Sequence, residues 1–224
     1  MKTIGIIAAM DSEMRALADR MQNREEHILA DMPYYTGTLE GVPTVVCCCG
    51  VGKVNAGIHT QILIDRFKPD ILIQNGVAGS LSADVEYFDL IVGSELVYHD
   101  MQTWVLEQFE PLQTVYTADP KLVQLAAEAA GECKIGRIAT GDWFVSEPAD
   151  KERIAKGTNA LCVEMEGCAV AHTATLNRVP FVVLRAISDK ADGGAHEDYV
   201  EFAQKAADRA VEILLRLLPT VAES

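Results

Sequence analysis

The chain has 224 residues, of which 49% are hydrophobic and 23% charged, so it is long enough to bury a core without disulfides or metal ions. Its formal net charge of −14 argues against nucleic acid or an anionic membrane as a partner, because both are negatively charged. The apolar runs are shorter than a membrane span, and the early acid in MKTIGIIAAMDSE argues against a signal peptide.

The cysteine pattern predicts reduced thiols. The six cysteines lie at Cys47–Cys49, Cys133, Cys162 and Cys168, and none forms a Cys-x-x-Cys pair. Successive cysteines point to alternate faces of a strand, so Cys47–Cys49 cannot easily pair with one another and are expected to pack as small apolar side chains. We therefore expect a cytoplasmic protein.

Short apolar runs alternate with helical patterns in the first half of the chain. A strand is predicted at residues 3–9, and a helix starts at Asp11 or Ser12. Residues 34–39 and 44–49 are predicted to form a hairpin around 40–43. The remaining predictions are a helix at 53–67 with Val54, Ile58, Ile62 and Leu63 inward, a strand at 70–74 and a loop at 75–79.

The second half continues the alternation. Strands are predicted at 90–97, 135–139, 161–163 and around 182–184, with helices from Pro120 to about residue 130 and on each side of 161–163. Residues 100–118 show no clear pattern. A last helix over about 199–218 has the apolar stripe Phe202, Ala206, Ala210, Ile213, Leu214 and Leu217. We predict a single α/β domain over residues 1–224, with a mixed central sheet flanked by helices.

Carboxylates follow two of the apolar runs. Asp189 ends the run from Val182, and Glu164 and Glu166 follow the run at 160–163. Because ligands of open α/β sheets bind beyond the carboxyl ends of the strands, these acids indicate a site that uses carboxylates rather than a metal or a thiol. A helix or turn cap is the alternative role for such an aspartate.

Cofactor motifs are incomplete. Cys49-Gly50-Val51-Gly52-Lys53 lies between a strand and a helix, but a Walker A loop needs glycine at Cys47 and serine or threonine at Val54. A dinucleotide fingerprint needs glycine or alanine at Asn55, and a tight turn is the alternative explanation. The histidines lack a spacing such as H-x-x-x-H, so we expect neither a metal nor a cofactor.

Seven runs occur in an order and spacing that carry a family resemblance: GIIAAMDSEM, CGVGKVNAG, NGVAGSL, YHD, TGDWFV, VEMEGCAVAH and RAISDKAD. Through them the chain resembles the 5′-methylthioadenosine/S-adenosylhomocysteine nucleosidases of the purine nucleoside phosphorylase superfamily, over nearly its whole length. The resemblance implies a nucleoside phosphorylase-like fold. It also implies hydrolysis of the N-glycosidic bond of an adenine thionucleoside to adenine and a thioribose.

The resemblance also implies roles for the carboxylates. Asp189 matches the general acid that protonates N7 of adenine, and burial would have to raise its pKa for this role. Glu13 matches the base that activates the attacking water, and Glu166 matches the residue that binds the ribose hydroxyls. Glu164 is kept as a supporting residue. A favourable acid at a helix start is the alternative for Glu13.

The remaining expected contacts come from the same correspondence. Phe144 stacks on adenine, the Val145 backbone meets the Watson–Crick edge of the base, and Ser188 supports Asp189 by hydrogen bonding. The sugar and base are lined by Met10, Val51 and Met165, and Tyr199 lies over the ribose and the 5′ substituent. Core packing is the alternative for each apolar side chain.

The chain departs from the family at two places. Many members carry serine where this chain has Val77, which removes a hydroxyl expected near the catalytic acid. Residues 101–111 lack the family's usual Asp-Val-Thr-Ala-Phe-Gly run, in the stretch that crosses the family's dimer interface and closes the 5′ pocket of the neighbouring subunit. We expect a homodimer, and Trp104, Val105, Leu106 and Phe109 are apolar enough for its interface. A surface loop folded on its own core is the alternative explanation for them.

Three rival functions stay open from the sequence. A nucleoside phosphorylase would attack with phosphate. The acids within Asp11–Glu13 would repel a phosphate ion, whereas Arg15 and Lys53 would attract it. Cleavage of 6-amino-6-deoxyfutalosine is a second rival, since the altered residues 101–111 are compatible with a bulkier 5′ group. A catalytically silent nucleoside-binding protein is the third, although Glu13, Glu166 and Asp189 are all present.

Overall fold

The computed structural model describes residues 1–224, which form ten strands and seven helices. The strands are β1 (Ile4–Ala8), β2 (Gln22–Leu29), β3 (Met32–Leu39), β4 (Val42–Cys48), β5 (Ile71–Ser80), β6 (Leu90–Tyr98), β7 (Tyr116–Thr117), β8 (Lys134–Thr140), β9 (Cys162–Glu164) and β10 (Phe181–Asp189). The helices are α1 (Asp11–Ala18), α2 (Lys53–Phe67), α3 (Thr103–Gln108), α4 (Pro120–Ala130), α5 (Pro148–Thr158), α6 (Gly167–Asn177) and α7 (Ala195–Glu223). None of these helices combines the length and apolarity that a membrane span requires.

All the strands belong to one mixed sheet, which confirms the predicted fold class. Strands β5, β10, β6, β8 and β9 close into a ring because β5 pairs with both β10 and β9. Strands β1, β4, β3 and β2 extend the sheet from β5 in that order. The neighbours β4, β1, β5 and β10 run parallel, so their carboxyl ends meet at one edge.

The central strands are buried on both faces, as expected for parallel strands covered by helices. Every residue of β1 and of β10 is buried. Helix α7 packs against β10 and β5, and its predicted stripe is buried from Ala206 to Leu217, with Phe202 half-buried. The helix runs past its predicted end at residue 218 because Val221 and Ala222 are also buried beyond Pro219.

Cys47, Cys48 and Cys49 are buried around the end of β4, and all the cysteines are unpaired thiols. Burial raises the pKa of each of these three thiols, so they remain protonated. The hairpin between β3 and β4 turns at Glu40 and Gly41, both with positive φ, which is the geometry of a tight two-residue turn.

The predicted inward face of α2 is wrong at Val54 and Ile58, which are 71% and 47% exposed. Leu63 is buried as predicted, but the helix otherwise turns the small or polar side chains of Ala56, His59 and Thr60 toward its neighbours. The Tyr34 hydroxyl lies 2.7 Å from His59 Nδ1, so a buried hydrogen bond holds this face in register. An apolar pattern alone does not reveal such a partner.

The predicted loop at residues 75–79 is wrong because this stretch continues β5. Strand β10 pairs with β5 from Leu72 to Gly79, and β9 pairs with Gly79 and Ser80. Strand β2 was not predicted, since its residues are mostly exposed and polar and it pairs only with β3 at the sheet edge. Residues 100–118, which had no clear pattern, contain α3 and β7.

Candidate active site

A cavity of about 330 Å³ opens at the carboxyl ends of the parallel strands and is lined by 19 residues. Its carboxyl groups are those of Glu13, Glu164, Glu166 and Asp189, and it contains the guanidinium of Arg185. All the predicted site residues line this cavity: Met10, Glu13, Val51, Val77, Phe144, Val145, Met165, Glu166, Ser188, Asp189 and Tyr199. The structure therefore brings together residues that lie up to 189 positions apart in the chain.

Glu13 is held where β1 passes directly into α1. It is the third residue of α1, and its Oε2 accepts hydrogen bonds from the amides of Ala9 at 3.2 Å and Met10 at 3.1 Å. Amides at a helix start favour an acid at this position. Burial raises the pKa of Glu13, while the Arg185 charge and the nearby amides act in the opposite direction. The carboxylate is thus fixed and faces the cavity without a direct ion pair.

Asp189 is the last residue of β10 and follows a local irregularity of the strand. The pairing with β5 shifts register between Ile187 and Asp189, which places Ser188 in a bulge. Asp189 Oδ2 accepts a hydrogen bond from Ser188 Oγ at 2.9 Å, and Oδ1 accepts one from the Ala191 amide at 2.9 Å. A Cβ at Gly79 would lie 2.5 Å from Asp189 Oδ1, so only glycine leaves room there. Burial raises the pKa of Asp189, and the Ala191 and Ser188 hydrogen bonds lower it by less.

Glu166 precedes α6 and contacts two distant elements. Its Oε1 accepts a hydrogen bond from the Gly52 amide at 2.9 Å, and its Oε2 lies 3.3 Å from an Arg185 nitrogen. Burial raises the pKa of Glu166 to about 7, against the opposing charge of Arg185. Donors from a bound ligand would favour its ionised form.

Glu164 is saturated by protein contacts. Its Oε2 accepts hydrogen bonds from the Glu166 amide at 2.9 Å and the Gly167 amide at 2.6 Å, and it pairs with Arg185. The Thr140 hydroxyl donates to its other oxygen. These bonds fix the backbone around Glu166 and leave Glu164 little capacity for a ligand.

Arg185 is a charged site residue that the sequence analysis missed. It is 1% exposed in the middle of β10, pairs with Glu164 and Glu166, and donates to the Val77 carbonyl at 3.1 Å. Burial would by itself lower the Arg185 pKa, but the surrounding carboxylates raise it, so the group stays charged. An arginine inside the apolar run VVLRAIS was the available signal, because a buried cation needs carboxylate partners.

An aromatic wall closes one side of the cavity. Phe144 stacks on His196 with ring centroids 4.7 Å apart, and Tyr199 meets Phe144 edge-on at 5.7 Å. The Tyr199 hydroxyl lies 2.8 Å from Met10 Sδ. His196, at the start of α7, was not predicted from the sequence.

Val77 lies on β5 and lines the same cavity as Asp189. Its backbone contacts Arg185 and Glu13, whereas the groups that influence Asp189 are Ser188, Ala191 and the acids near the start of α7. The pairing of β5 with β10 places Val77 opposite Ala186 and Gly79 opposite Asp189. The effect of the missing hydroxyl on Asp189 stays a prediction.

Residues 101–111 do not line this cavity. Trp104 and Phe109 are about half exposed, whereas Leu106 is buried within its own chain, which fits the alternative of a loop folded on its own core at that residue. Arg15 pairs with Asp11 at the surface, and Lys53 pairs with Asp100. No three histidine, cysteine or acidic side chains are arranged to hold a metal ion.

Comparison with known proteins places this arrangement among nucleoside-cleaving enzymes. The model of the phosphorylase superfamily matches residues 3–219. The 5′-methylthioadenosine/S-adenosylhomocysteine nucleosidase of Geobacillus thermodenitrificans is 37% identical over 226 residues, which cover 96% of each chain.

Solved structures show the same likeness. The S-adenosylhomocysteine nucleosidase of Streptococcus pyogenes, in complex with 5-methylthiotubericidin, superposes with a TM-score of 0.94 at 32% identity, covering 98% of this chain and 97% of that one. The futalosine hydrolase of Helicobacter pylori superposes with a TM-score of 0.93 at 30% identity, covering 98% of each chain.

Proposed function

The chain belongs to the phosphorylase superfamily and, within it, to the 5′-methylthioadenosine/S-adenosylhomocysteine nucleosidases, and we propose that it hydrolyses the N-glycosidic bond of these two thionucleosides. The products are adenine and the corresponding thioribose. The observation that carries the proposal is the presence of Glu13, Glu166 and Asp189 in one cavity, each buried and each held by separate donors.

Asp189 is the general acid in this proposal. Cleavage leaves negative charge on the departing adenine, and a proton delivered to N7 neutralises it. Burial raises the Asp189 pKa and so favours the protonated form that the reaction needs. Ser188 and the Ala191 amide fix the carboxyl orientation.

Glu13 is the base that activates water. The amides of Ala9 and Met10 hold one carboxylate oxygen, and the nearby Arg185 charge favours the ionised form. Glu166 accepts the ribose hydroxyls and stabilises the positive charge that develops on the sugar. Arg185 and the Gly52 amide keep Glu166 in place for this role.

The apolar wall holds the rest of the substrate. Phe144 stacks on adenine, and the Val145 backbone meets the edge of the base. Met10, Val51 and Met165 line the sugar and base, and Tyr199 covers the ribose and the 5′ substituent. Because these side chains exclude water from the leaving group, they strengthen the electrostatic effects of the carboxyl groups.

Water is favoured over phosphate as the nucleophile. A phosphate ion in this cavity would face the carboxyl groups of Glu13, Glu164, Glu166 and Asp189, while the Arg185 guanidinium is already paired. Lys53 is paired with Asp100 and does not line the cavity.

A homodimer is part of the proposal. Val51 lies at the cavity rim and is 51% exposed, and the exposed Val54 and Ile58 follow it on α2. This apolar surface suits a second copy whose residues 101–111, including Trp104 and Phe109, approach the neighbouring active site. The unpaired cysteines suit the reducing cytoplasm, and the thioribose product suits a role in methionine salvage.

The test is adenine release from methylthioadenosine, S-adenosylhomocysteine and aminofutalosine in phosphate-free buffer, and again with phosphate. We expect rapid release of adenine from the two thionucleosides without phosphate. A strict phosphate requirement would instead identify a phosphorylase. A preference for aminofutalosine would favour the activity of the futalosine hydrolase that this fold also resembles.

We expect Ser188→Ala to move the alkaline limb of the kcat/KM profile to higher pH. The Ser188 hydroxyl stabilises the ionised Asp189 carboxylate, so its removal raises the Asp189 pKa and the active protonated form persists to higher pH. The pH profile of adenine release measures the shift. Ser80→Ala is the control, because it removes a buried hydroxyl that bonds only to backbone carbonyls. If the alkaline limb stayed at the same pH or moved to lower pH, its assignment to Asp189 would be contradicted.

A further inference from the structure

Three segments meet beside the loop that carries Phe144. Lys53 begins α2, Asp100 follows β6, and Asp142 lies two residues before Phe144. We infer that these three residues, called the Asp142 cluster, position the base-binding loop at residues 141–145 relative to the sugar-binding carboxylate. This inference rests on the proposed function.

Direct contacts join each member of the Asp142 cluster to the other two. The Lys53 amide donates to Asp142 Oδ1 at 2.7 Å, and the Asp142 amide donates to Asp100 Oδ2 at 2.9 Å. Lys53 Nζ lies 2.5 Å from Asp100 Oδ2 and 3.7 Å from Asp142 Oδ2. The Lys53 and Asp100 side chains are only 19% and 22% exposed, so water screens their ion pair incompletely.

The start of α2 connects the loop to Glu166. Gly52 donates its amide to Glu166 Oε1 at 2.9 Å, and the next amide, of Lys53, binds Asp142. A Cβ at Gly52 would lie 3.1 Å from Asp142 Oδ1, and Gly52 has a φ of 96°, so glycine permits this close approach. One rigid helix end therefore sets the distance between the wall that receives adenine and the carboxylate that receives ribose.

A plain helix cap is the competing explanation for Asp142. Asp119 provides the comparison, because its side chain caps α4 by accepting from the amides of Lys121 and Leu122. Neither Asp119 nor its partners line the cavity. Loss of either cap should reduce stability, but only loss of Asp142 should change base binding.

The experiment compares Asp142→Ala with Asp119→Ala by thermal melting, kcat and KM for methylthioadenosine, and calorimetric Kd for adenine. We expect both variants to lower the Tm. We expect Asp142→Ala alone to raise KM and the adenine Kd, by about tenfold, with a smaller effect on kcat. If Asp142→Ala lowers the Tm but leaves KM and the adenine Kd unchanged, Asp142 is only a cap and the inference is overturned.

Lys53→Met provides a second variant that keeps the backbone cap and removes the charged link to Asp100. We expect KM and the adenine Kd to rise, by about threefold or more. This variant decides the question if Asp142→Ala does not fold, and unchanged binding would again overturn the inference.

Trp143 supplies a readout that does not depend on turnover. It lies between Asp142 and Phe144, lines the cavity, and is one of two tryptophans in the chain. The substitution Trp104→Phe leaves Trp143 as the single tryptophan. In this background we expect Lys53→Met to change the Trp143 emission and its quenching by adenine. Unchanged emission and quenching would count against the inference. If the wild-type protein releases no adenine from any thionucleoside, the proposed function fails, while the adenine Kd and Trp143 emission still test loop positioning.

Discussion

Asp189→Asn is expected to fold and to bind methylthioadenosine while losing about 10²–10⁴-fold in kcat, the range that a general acid contributes. Asparagine has nearly the same shape and still accepts a hydrogen bond from the Ala191 amide, but it cannot transfer a proton to N7. Steady-state adenine release gives kcat, and calorimetry with adenine gives the binding control. Asp208→Asn, on the exposed side of α7, controls for the change in net charge.

A stability measurement distinguishes loss of proton transfer by Asp189 from loss of activity through unfolding. Because the folded-state pKa of Asp189 is raised, its ionisation is less favourable in the folded than in the unfolded protein. The protonated Asp189 side chain therefore stabilises the folded state at low pH. This stabilisation is lost as the pH rises from the pKa of Asp189 in the unfolded chain to its higher pKa in the folded protein. Asparagine does not ionise, so the variant avoids the cost of a buried negative charge at this position. The Tm of Asp189→Asn should therefore not fall below that of the wild type at neutral pH. Turnover above a tenth of wild type would remove Asp189 as the acid.

Glu13→Gln is expected to lower kcat by about 10²–10⁴-fold. The reason is that the glutamine amide cannot accept the proton of the attacking water. The wild-type rate should fall as pH drops through the Glu13 pKa, which burial raises, because the base must be ionised. Residual activity of Glu13→Gln should lack this acidic limb. The pH profile of single-turnover adenine release checks both expectations.

Glu212→Gln is the matched control for Glu13→Gln, since Glu212 is an exposed acid on α7. It should leave kcat and both limbs in place. A Glu13→Gln variant that keeps the acidic limb would show that another carboxyl group, such as Glu166, produces it. A variant that keeps its turnover would exclude Glu13 as the base.

Prediction from sequence succeeded where the evidence is local. Strand ends are marked by apolar runs followed by acids, so Glu164, Glu166 and Asp189 could be placed at one edge of the sheet, and the family resemblance added Glu13. The family resemblance implied further lining residues, such as Phe144 and Tyr199, but not Arg185 or His196. The homodimer and the individual roles remain proposals.

Prediction from sequence failed where the conformation or burial of a residue depends on a residue far away in the chain. Val54 and Ile58 are apolar and yet exposed, because the buried side of α2 depends on Tyr34 and other residues far away in the chain. Residues 75–79 are rich in glycine and yet form a strand, because β10 supplies the hydrogen bonds. Arg185 was passed over because periodicity assigns it to a buried strand and says nothing about its charge.

The sequence by itself determined the α/β class and the places of Glu164, Glu166 and Asp189 at strand ends, since these follow from local periodicity, while Glu13 was identified through the family resemblance. Only the tertiary structure decided that Glu164 is saturated by Arg185, Thr140 and two backbone amides, while Glu166 has one amide donor and a longer contact to Arg185. It also decided the directions of the pKa shifts of Glu13, Glu166 and Asp189. The physical reason is that burial, charge pairing and hydrogen bonding depend on groups brought together from distant positions, as Gly52 and Glu166 are across 114 residues.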